Sequence, residues 1–253
     1  MTNGQEKLVT IHQPDFMPWL GLFLKIAAAD EWIVLDHVRN NPKTAAFWGR
    51  RVRMIINREP HWISVPLERG GDVFVPIKDM RLSSAASGAF VKLRRSIRES
   101  YSRSPFFGEG YPLFEAYLDH PSPYLIDRNM FFIEHVLSAL RLVRPVVRSS
   151  LMDPAGTATD LLVDLLRKRN AACYVSGRGA EGYQDDARFE AAGIRLQMRE
   201  DRAFTYPQVN VPAFVPGLSV LDSVMNIGFS GVANLLRPAG TAPMDHASET
   251  AAI

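Results

Sequence analysis

Residues 8–36 read LVTIHQPDFMPWLGLFLKIAAADEWIVLD, and this stretch decides the architecture. Leu8-Val9-Thr10-Ile11 is a short run rich in β-branched residues that ends in His12-Gln13-Pro14. Pro14 and Pro18 forbid a helix between them and suit a turn, with Pro18 fit to be the first residue of the helix that follows. Between residues 19 and 29 apolar side chains surround Lys25 almost completely, the pattern of a helix packed against a sheet. Trp32-Ile33-Val34-Leu35 is nearly continuous apolar sequence, as in a strand buried on both faces. A right-handed crossover makes the two strands parallel and puts His12 and Asp36 at their C-terminal ends. That edge is where open α/β sheets bind ligands.

Farther along, residues 52–56, 61–65 and 73–77 are short strand-like runs separated by turn-rich segments, and residues 85–101, 113–118 and 125–142 have helical periodicity. Strand patterns at 145–147, 172–175 and 194–198 then alternate with helical ones at 159–169, 185–192 and 219–227. Ser219 is the expected N-cap of the last helix, with Asp222 three residues on as a weak capping-box partner. The expected class is α/β: a mainly parallel open sheet flanked by helices, with a small β-rich insertion over about residues 50–82 and a helical segment over about 85–142. Residues 1–237 are expected to form one domain and the Ala/Thr/Ser-rich residues 238–253 a flexible tail.

Composition narrows the function. The 253 residues carry 29 Lys+Arg against 27 Asp+Glu, a net charge of +2, so nothing global draws the chain to nucleic acid or to membranes. No apolar run approaches the ~20 residues of a membrane span, and Met1 to Lys7 lacks the pattern of a signal peptide. A soluble cytoplasmic protein is expected. One cysteine, Cys173, excludes an internal disulfide and a Cys-rich zinc site, and its place in a buried strand argues against a nucleophile. A serine-nucleophile elbow, a Walker A loop and an HExxH helix are absent, and no cofactor or metal is expected.

Candidate chemistry starts at His12. A histidine at a strand's C-terminal edge acts as general base, binds a phosphate or carboxylate, or simply caps the turn. Asp36 either bonds a neighbouring turn or orients His12 across strand ends about 4.8 Å apart. Between residues 39 and 53 lie Arg39, Lys43, Arg50, Arg51 and Arg53 with the aromatics Phe47 and Trp48. That mixture suits an anionic ligand with a flat group, such as a nucleotide or a phosphopantetheine-bearing partner, or else it is a solvated loop. Residues 177–182 formally match the dinucleotide fingerprint, but the next strand, near Ile194, comes too soon for a βαβ unit of about 30 residues. A nicotinamide or flavin dinucleotide site is therefore rejected, while a tight anion-binding loop at Gly177, flanked by Ser176 and Tyr183, remains open.

Taken in order, several short pieces resemble the WbqC-like family, named from O-antigen gene clusters. They are His12-Gln13-Pro14, Pro18-Trp19-Leu20-Gly21, Ala29-Asp30, Val34-Leu35-Asp36, Phe47-Trp48-Gly49-Arg50, Trp62-Ile63-Ser64-Val65-Pro66, Tyr174-Val175-Ser176-Gly177 with Tyr183, and Leu218-Ser219-Val220-Leu221-Asp222 with Asn226 and Gly228. The resemblance implies transfer of an aminoacyl group such as glycine during assembly of surface polysaccharide or a related natural product. It implies a site of His12, Gln13, Asp36, Trp48, Arg50, Ser176, Tyr183, Asp222 and Asn226.

The leading expectation is a transferase forming an amide or ester on an amine-bearing small molecule or amino sugar. His12 is the base, held by Asp36. Gln13, or backbone N–H groups near Ser176 and Gly177, receive the oxyanion, and Arg50 and Lys43 hold the donor's phosphate. The donor is a carrier-protein, coenzyme A or nucleotide-activated acyl group, so an acyl or peptidyl carrier protein is a possible partner. A nucleotide-dependent ligase or nucleotidyltransferase, and a non-catalytic module binding an anionic small molecule or carrier protein, stand as alternatives.

Overall fold

The first strand, β1 (Leu8–His12), sits at the centre of the sheet rather than at its edge. A computed structural model describes residues 6–40, 47–68, 74–177, 184–198, 202–209 and 211–237. After β1 come α1 (Leu20–Ala27), β2 (Glu31–Val34), β3 (Arg39–Asn40), the hairpin β4 (Arg51–Ile56) and β5 (Glu59–Ser64), and β6 (Val75–Pro76). The helices α2 (Ala86–Tyr101), α3 (Phe107–Asp119) and α4 (Leu125–Ala139) follow. The chain then alternates again through β7 (Val146–Arg148), α5 (Ala158–Lys168), β8 (Cys173–Ser176), α6 (Asp186–Ala191), β9 (Arg195–Met198) and α7 (Val220–Leu236).

Five strands form the main sheet in the order β7-β2-β1-β8-β9, and every pairing in it is parallel. The expected α/β class with a parallel sheet is what the chain adopts. The chain winds outward from β1 through β2 to β7, then crosses to the other side of β1 for β8 and β9. That reversal makes the gap between β1 and β8 the topological switch point. Thr10, fully buried in β1, donates its hydroxyl to the Val175 carbonyl at 2.9 Å and so ties the two halves together.

Alternation along the strands divides the core into two layers. Val9, Ile11, Ile33 and Tyr174 pack with Leu165 of α5 and Phe189 of α6 on one face. Trp32 and Val34 pack with α1, α4 and α7 on the other. At the N-terminal end of β2, buried Glu31 is held by Lys7 at 2.8 Å and by Arg169 at 2.5 Å.

The β-rich part is the β4–β5 hairpin, joined by Asn57 and Arg58 with φ of 51° and 68°, and a separate two-stranded pair of β3 with β6. Two successive positive φ values make the type I′ turn that matches strand twist. α3 begins six residues before the helix expected at Leu113, running through Pro112, which lies inside it. Gly110 explains the gain: a Cβ there would lie 2.7 Å from Met225, so only glycine lets α3 settle against α7. α7 likewise extends past the expected end near Ile227, but its backbone breaks at Gly228, with φ 71° and ψ 167°. Phe106 occupies the space a Cβ would need, at 2.8 Å, and Glu109 accepts from the Phe229 N–H at 2.8 Å. Pro18 is not the first helical residue of α1, because Trp19 is the extended N-cap. Among the described residues no helix is long and apolar enough to cross a membrane. The expected tail, residues 238–253, lies outside the described residues.

Candidate functional site

A cavity of about 1100 Å³ opens over the C-terminal ends of β1 and β8, at the switch point. His12 and Gln13 line it from β1, Tyr174 and Gly177 from β8, and Lys25 from α1. Ala158 and Thr159, the first turn of α5, add the partial positive charge of a helix N-terminus. The β4–β5 hairpin brings Arg51, Arg53 and Trp62 to the same space, beside Trp48 and Trp19.

The turn after β1 is fixed by parts of the chain far away in sequence. Leu35 N–H donates to the His12 carbonyl at 2.9 Å, extending the ladder by one bond beyond β2. Met17 is held at φ 41°, an uncommon value for a residue with a side chain, and its carbonyl accepts from Ser219 Oγ at 2.7 Å. Val220 N–H donates to the Pro18 carbonyl at 2.8 Å. Gly21 is the space into which the Trp19 indole folds, since a Cβ would lie 2.3 Å from its ring. Gly49 does the same for buried Phe47, at 2.4 Å, which leaves Trp48 facing out.

His12 Nδ1 lies 2.8 Å from the Gln13 carbonyl. A carbonyl only accepts, so in the neutral ring Nδ1 carries the hydrogen and Nε2 the lone pair. Asp15 Oδ2 lies 3.8 Å from the same Nδ1. Asp15 is 8% exposed, and burial pushes its carboxyl up to about 7 against the opposing charge of Lys25. Lys25, itself 5% exposed, donates to the Ile11 carbonyl at 2.7 Å. Asn40 donates to Gln13 Oε1 at 3.4 Å, leaving the Gln13 Nε2 hydrogens as the donors this side chain presents to a ligand.

Several expected site residues lie elsewhere. Asp36 does not orient His12: it is fully buried and accepts from Ser149 Oγ at 3.0 Å, Ser150 N–H at 2.8 Å and Ser150 Oγ at 2.8 Å. β2 lies between β1 and β7, and the three donors at the end of β7 draw the carboxylate away from β1. Asp222 does not line the cavity and closes no capping box. Its carboxylate takes the Tyr101 hydroxyl at 2.6 Å and the Tyr206 hydroxyl at 2.7 Å, joining α7 to α2, and burial raises its pKa despite those bonds. Ser219 does cap α7, accepting from Leu221 N–H at 3.1 Å. Asn226 receives the Val209 N–H at 3.1 Å and donates to the Asp222 carbonyl at 2.8 Å, and it does not line the cavity. Arg50 does not line the cavity; its neighbour Arg51 does. Ser176 is fully buried and bonds Gln184 at 3.1 Å, so Gln184, not Ser176, faces the cavity. Cys173 is fully buried and burial raises its thiol pKa, as a structural cysteine requires. Lys43, Tyr183 and the glycine loop beyond Gly177 lie outside the described residues.

With the site laid out, a family model described as the WbqC-like protein family matches residues 13–234, which include every described cavity-lining residue except Ile11 and His12. The chain belongs to the WbqC-like protein family. It is 26% identical over 224 residues, 88% of this chain and 94% of the other, to a Mycobacterium tuberculosis protein named uncharacterized protein Rv1507c. No solved structure matches it.

In this WbqC-like protein the two halves of the site meet through a residue the sequence did not single out. Asn129 of α4 is fully buried, and its Nδ2 donates to the Pro14 carbonyl at 2.8 Å and to the Gly49 carbonyl at 2.7 Å. Tyr117 donates its hydroxyl to Asn129 Oδ1 at 3.0 Å. Asp15 and Lys25 were missed as well. The signal for Lys25 was present, a lone cation on an otherwise apolar helix. Asp15 carried none beyond its place three residues after His12. Among the described residues no three His, Cys, Asp or Glu side chains are grouped so as to hold a metal ion.

Proposed function

We propose that this WbqC-like protein is a biosynthetic transferase that moves an activated acyl or aminoacyl group onto the amine of a small molecule or amino sugar. The observation that carries the reading is the bond from His12 Nδ1 to the Gln13 carbonyl, which fixes the lone pair on Nε2 of an imidazole lining a cavity at the sheet's switch point. In the transfer, the amine nitrogen attacks the acyl carbonyl carbon and His12 Nε2 removes the proton the nitrogen sheds. The tetrahedral oxyanion collapses, the bond to the leaving group breaks, and the same proton passes from His12 to that group. With a thioester donor the products are one amide and one thiol. A positioned base of this kind is worth about 10²–10⁴ in rate.

Asp15, 3.8 Å from Nδ1, stabilises the imidazolium while it exists, the role the sequence had given to Asp36. Gln13 Nε2 donates to the oxyanion. The absence of a reactive nucleophile among the described cavity residues favours direct transfer over a covalent enzyme intermediate. The test is mass spectrometry of reactions holding acyl or glycyl thioesters and a panel of amino sugars and amines. A product heavier than the acceptor by the acyl group, formed with release of thiol, supports the reading. Tight binding without turnover across the panel replaces it with a non-catalytic module.

A second reading, a nucleotide-dependent ligase or nucleotidyltransferase, is favoured by one observation: a histidine ends the first strand of a sheet that winds outward on both sides of that strand. That is an argument from architecture alone. Pyrophosphate release from a nucleoside triphosphate would promote it above the first.

A further inference from the structure

The mouth of the cavity carries charge and aromatic surface that proton transfer does not use. Trp48 and Trp62 are 49% and 46% exposed, although tryptophan is ordinarily among the more buried residues. Their ring centroids are 5.3 Å apart at 52°, and the Arg51 guanidinium lies 3.8 Å from the Trp62 ring centroid. A guanidinium held against an indole has its freedom restricted, and its planar fork of N–H donors suits bidentate recognition of a phosphate. Arg39 and Arg53 stand at the same cavity, bonding the carbonyls of Phe74 and Pro216. Among the described residues none of these three arginines has a carboxylate partner. Among the described residues Asp15 is the one carboxylate that lines the cavity, against Lys25, Arg39, Arg51 and Arg53.

We infer that this mouth is a subsite for a nucleoside phosphate, with the base stacked on Trp48 and Trp62 and the phosphate held by Arg51 and its neighbours Arg39 and Arg53. Two requirements meet here. Exposed indoles reward any flat ring, because every nucleic-acid base has a face to stack on an aromatic side chain. Arginines with no carboxylate partner among the described residues reward phosphate rather than a neutral sugar. A ligand satisfying both joins a planar ring to a phosphate within a few bonds. The inference rests on the proposed transferase in taking this ligand as the handle of the activated donor. The handle comes from one of two sources with the same chemistry, a coenzyme A thioester or an acyl adenylate. A carrier-protein arm offers a phosphate but no base, and so does not use the indoles.

The experiment is tryptophan fluorescence titration of the full chain with ADP, UDP, coenzyme A, adenosine, inorganic pyrophosphate and glucose 1-phosphate. Expected is saturable quenching by at least one of ADP, UDP and coenzyme A, with adenosine, pyrophosphate and glucose 1-phosphate each binding roughly tenfold or more weakly. Trp48→Leu and Trp62→Leu each remove part of the quenching and weaken binding about tenfold, with an unchanged thermal melt. Arg51→Gln weakens it by a similar factor and flattens its dependence on salt. Preference for coenzyme A over ADP selects the thioester source and the reverse selects the adenylate. Glucose 1-phosphate or pyrophosphate binding as tightly as the nucleotides, or affinity indifferent to both tryptophans, overturns the inference. Nucleotide binding without acyl transfer leaves the subsite standing and defeats the transferase. Transfer from a carrier-protein thioester that ADP, UDP and coenzyme A fail to inhibit defeats the subsite alone.

Discussion

Asp15 Oδ2 lies 3.8 Å from His12 Nδ1, across the turn that ends the first strand. The carboxylate that attends the imidazole therefore comes from the same turn, not from the neighbouring strand end. It is also the carboxylate whose pKa burial moves into the neutral range, to about 7, with Lys25 opposing. A charge that titrates beside the proposed base, inside a cationic cavity, links stability to pH at the working site.

Asp15→Asn should be more stable than wild type in alkali and equal to it in acid. Unfolded, the group ionises near its ordinary 3.8; folded, near 7. Its contribution is whole below about 3.8 and is lost as pH rises through 7, a difference of roughly 4 kcal/mol at most. Loss of the attraction to Lys25 reduces the gain. Urea unfolding at pH 4 and pH 8 checks it. Equal stabilities at both pH values mean Asp15 is not held protonated by burial.

Asp36→Asn should leave any transfer rate within about threefold of wild type, because Asp36 faces Ser149 and Ser150 rather than His12. The cost falls on stability: a charged acceptor of three buried bonds is weakened, for about 1–3 kcal/mol. Turnover and urea midpoint measured together distinguish this from a catalytic carboxylate, whose loss would lower turnover sharply with little change in midpoint.

Asn129→Leu removes the donor shared by Pro14 and Gly49 and leaves the Tyr117 hydroxyl facing a methyl group. A loss of roughly 3 kcal/mol is expected from the unsatisfied buried groups. Because the two carbonyls belong to the base-bearing turn and the Trp48 loop, amide exchange should quicken in both segments. Loosening confined to α4 would contradict the coupling.

The sheet was legible because its signals are local. The apolar run Trp32 to Leu35 and the β-branched run before His12 each declare a buried strand, and a helix of the right length joins them. Parallel pairing follows from that connection, and the ends of both strands follow from the pairing. Side-chain direction at those ends does not. Asp36 had two partners within reach, and Ser149 and Ser150, more than a hundred residues on, decided between them. Asp222 and Asn226 read as polar residues on a helix near a site, but Tyr101, Tyr206 and Val209 turn them inward. The shift from Arg50 to Arg51 is local: Arg50 closes the short 3₁₀ turn Trp48–Arg50, and Arg51, the first residue of β4, is the one that reaches the cavity. Gly49 and Gly21 carried their information openly, since each stands two residues from the aromatic ring whose space it leaves clear.

The most direct test of the account is the rate of amide formation by His12→Ala beside wild type, with matched circular dichroism and the acceptor identified from the amine panel. A fall of at least about a hundredfold at saturating substrate, with affinity for the donor little changed, is the predicted result. Turnover within a few fold of wild type in a folded His12→Ala protein would contradict it.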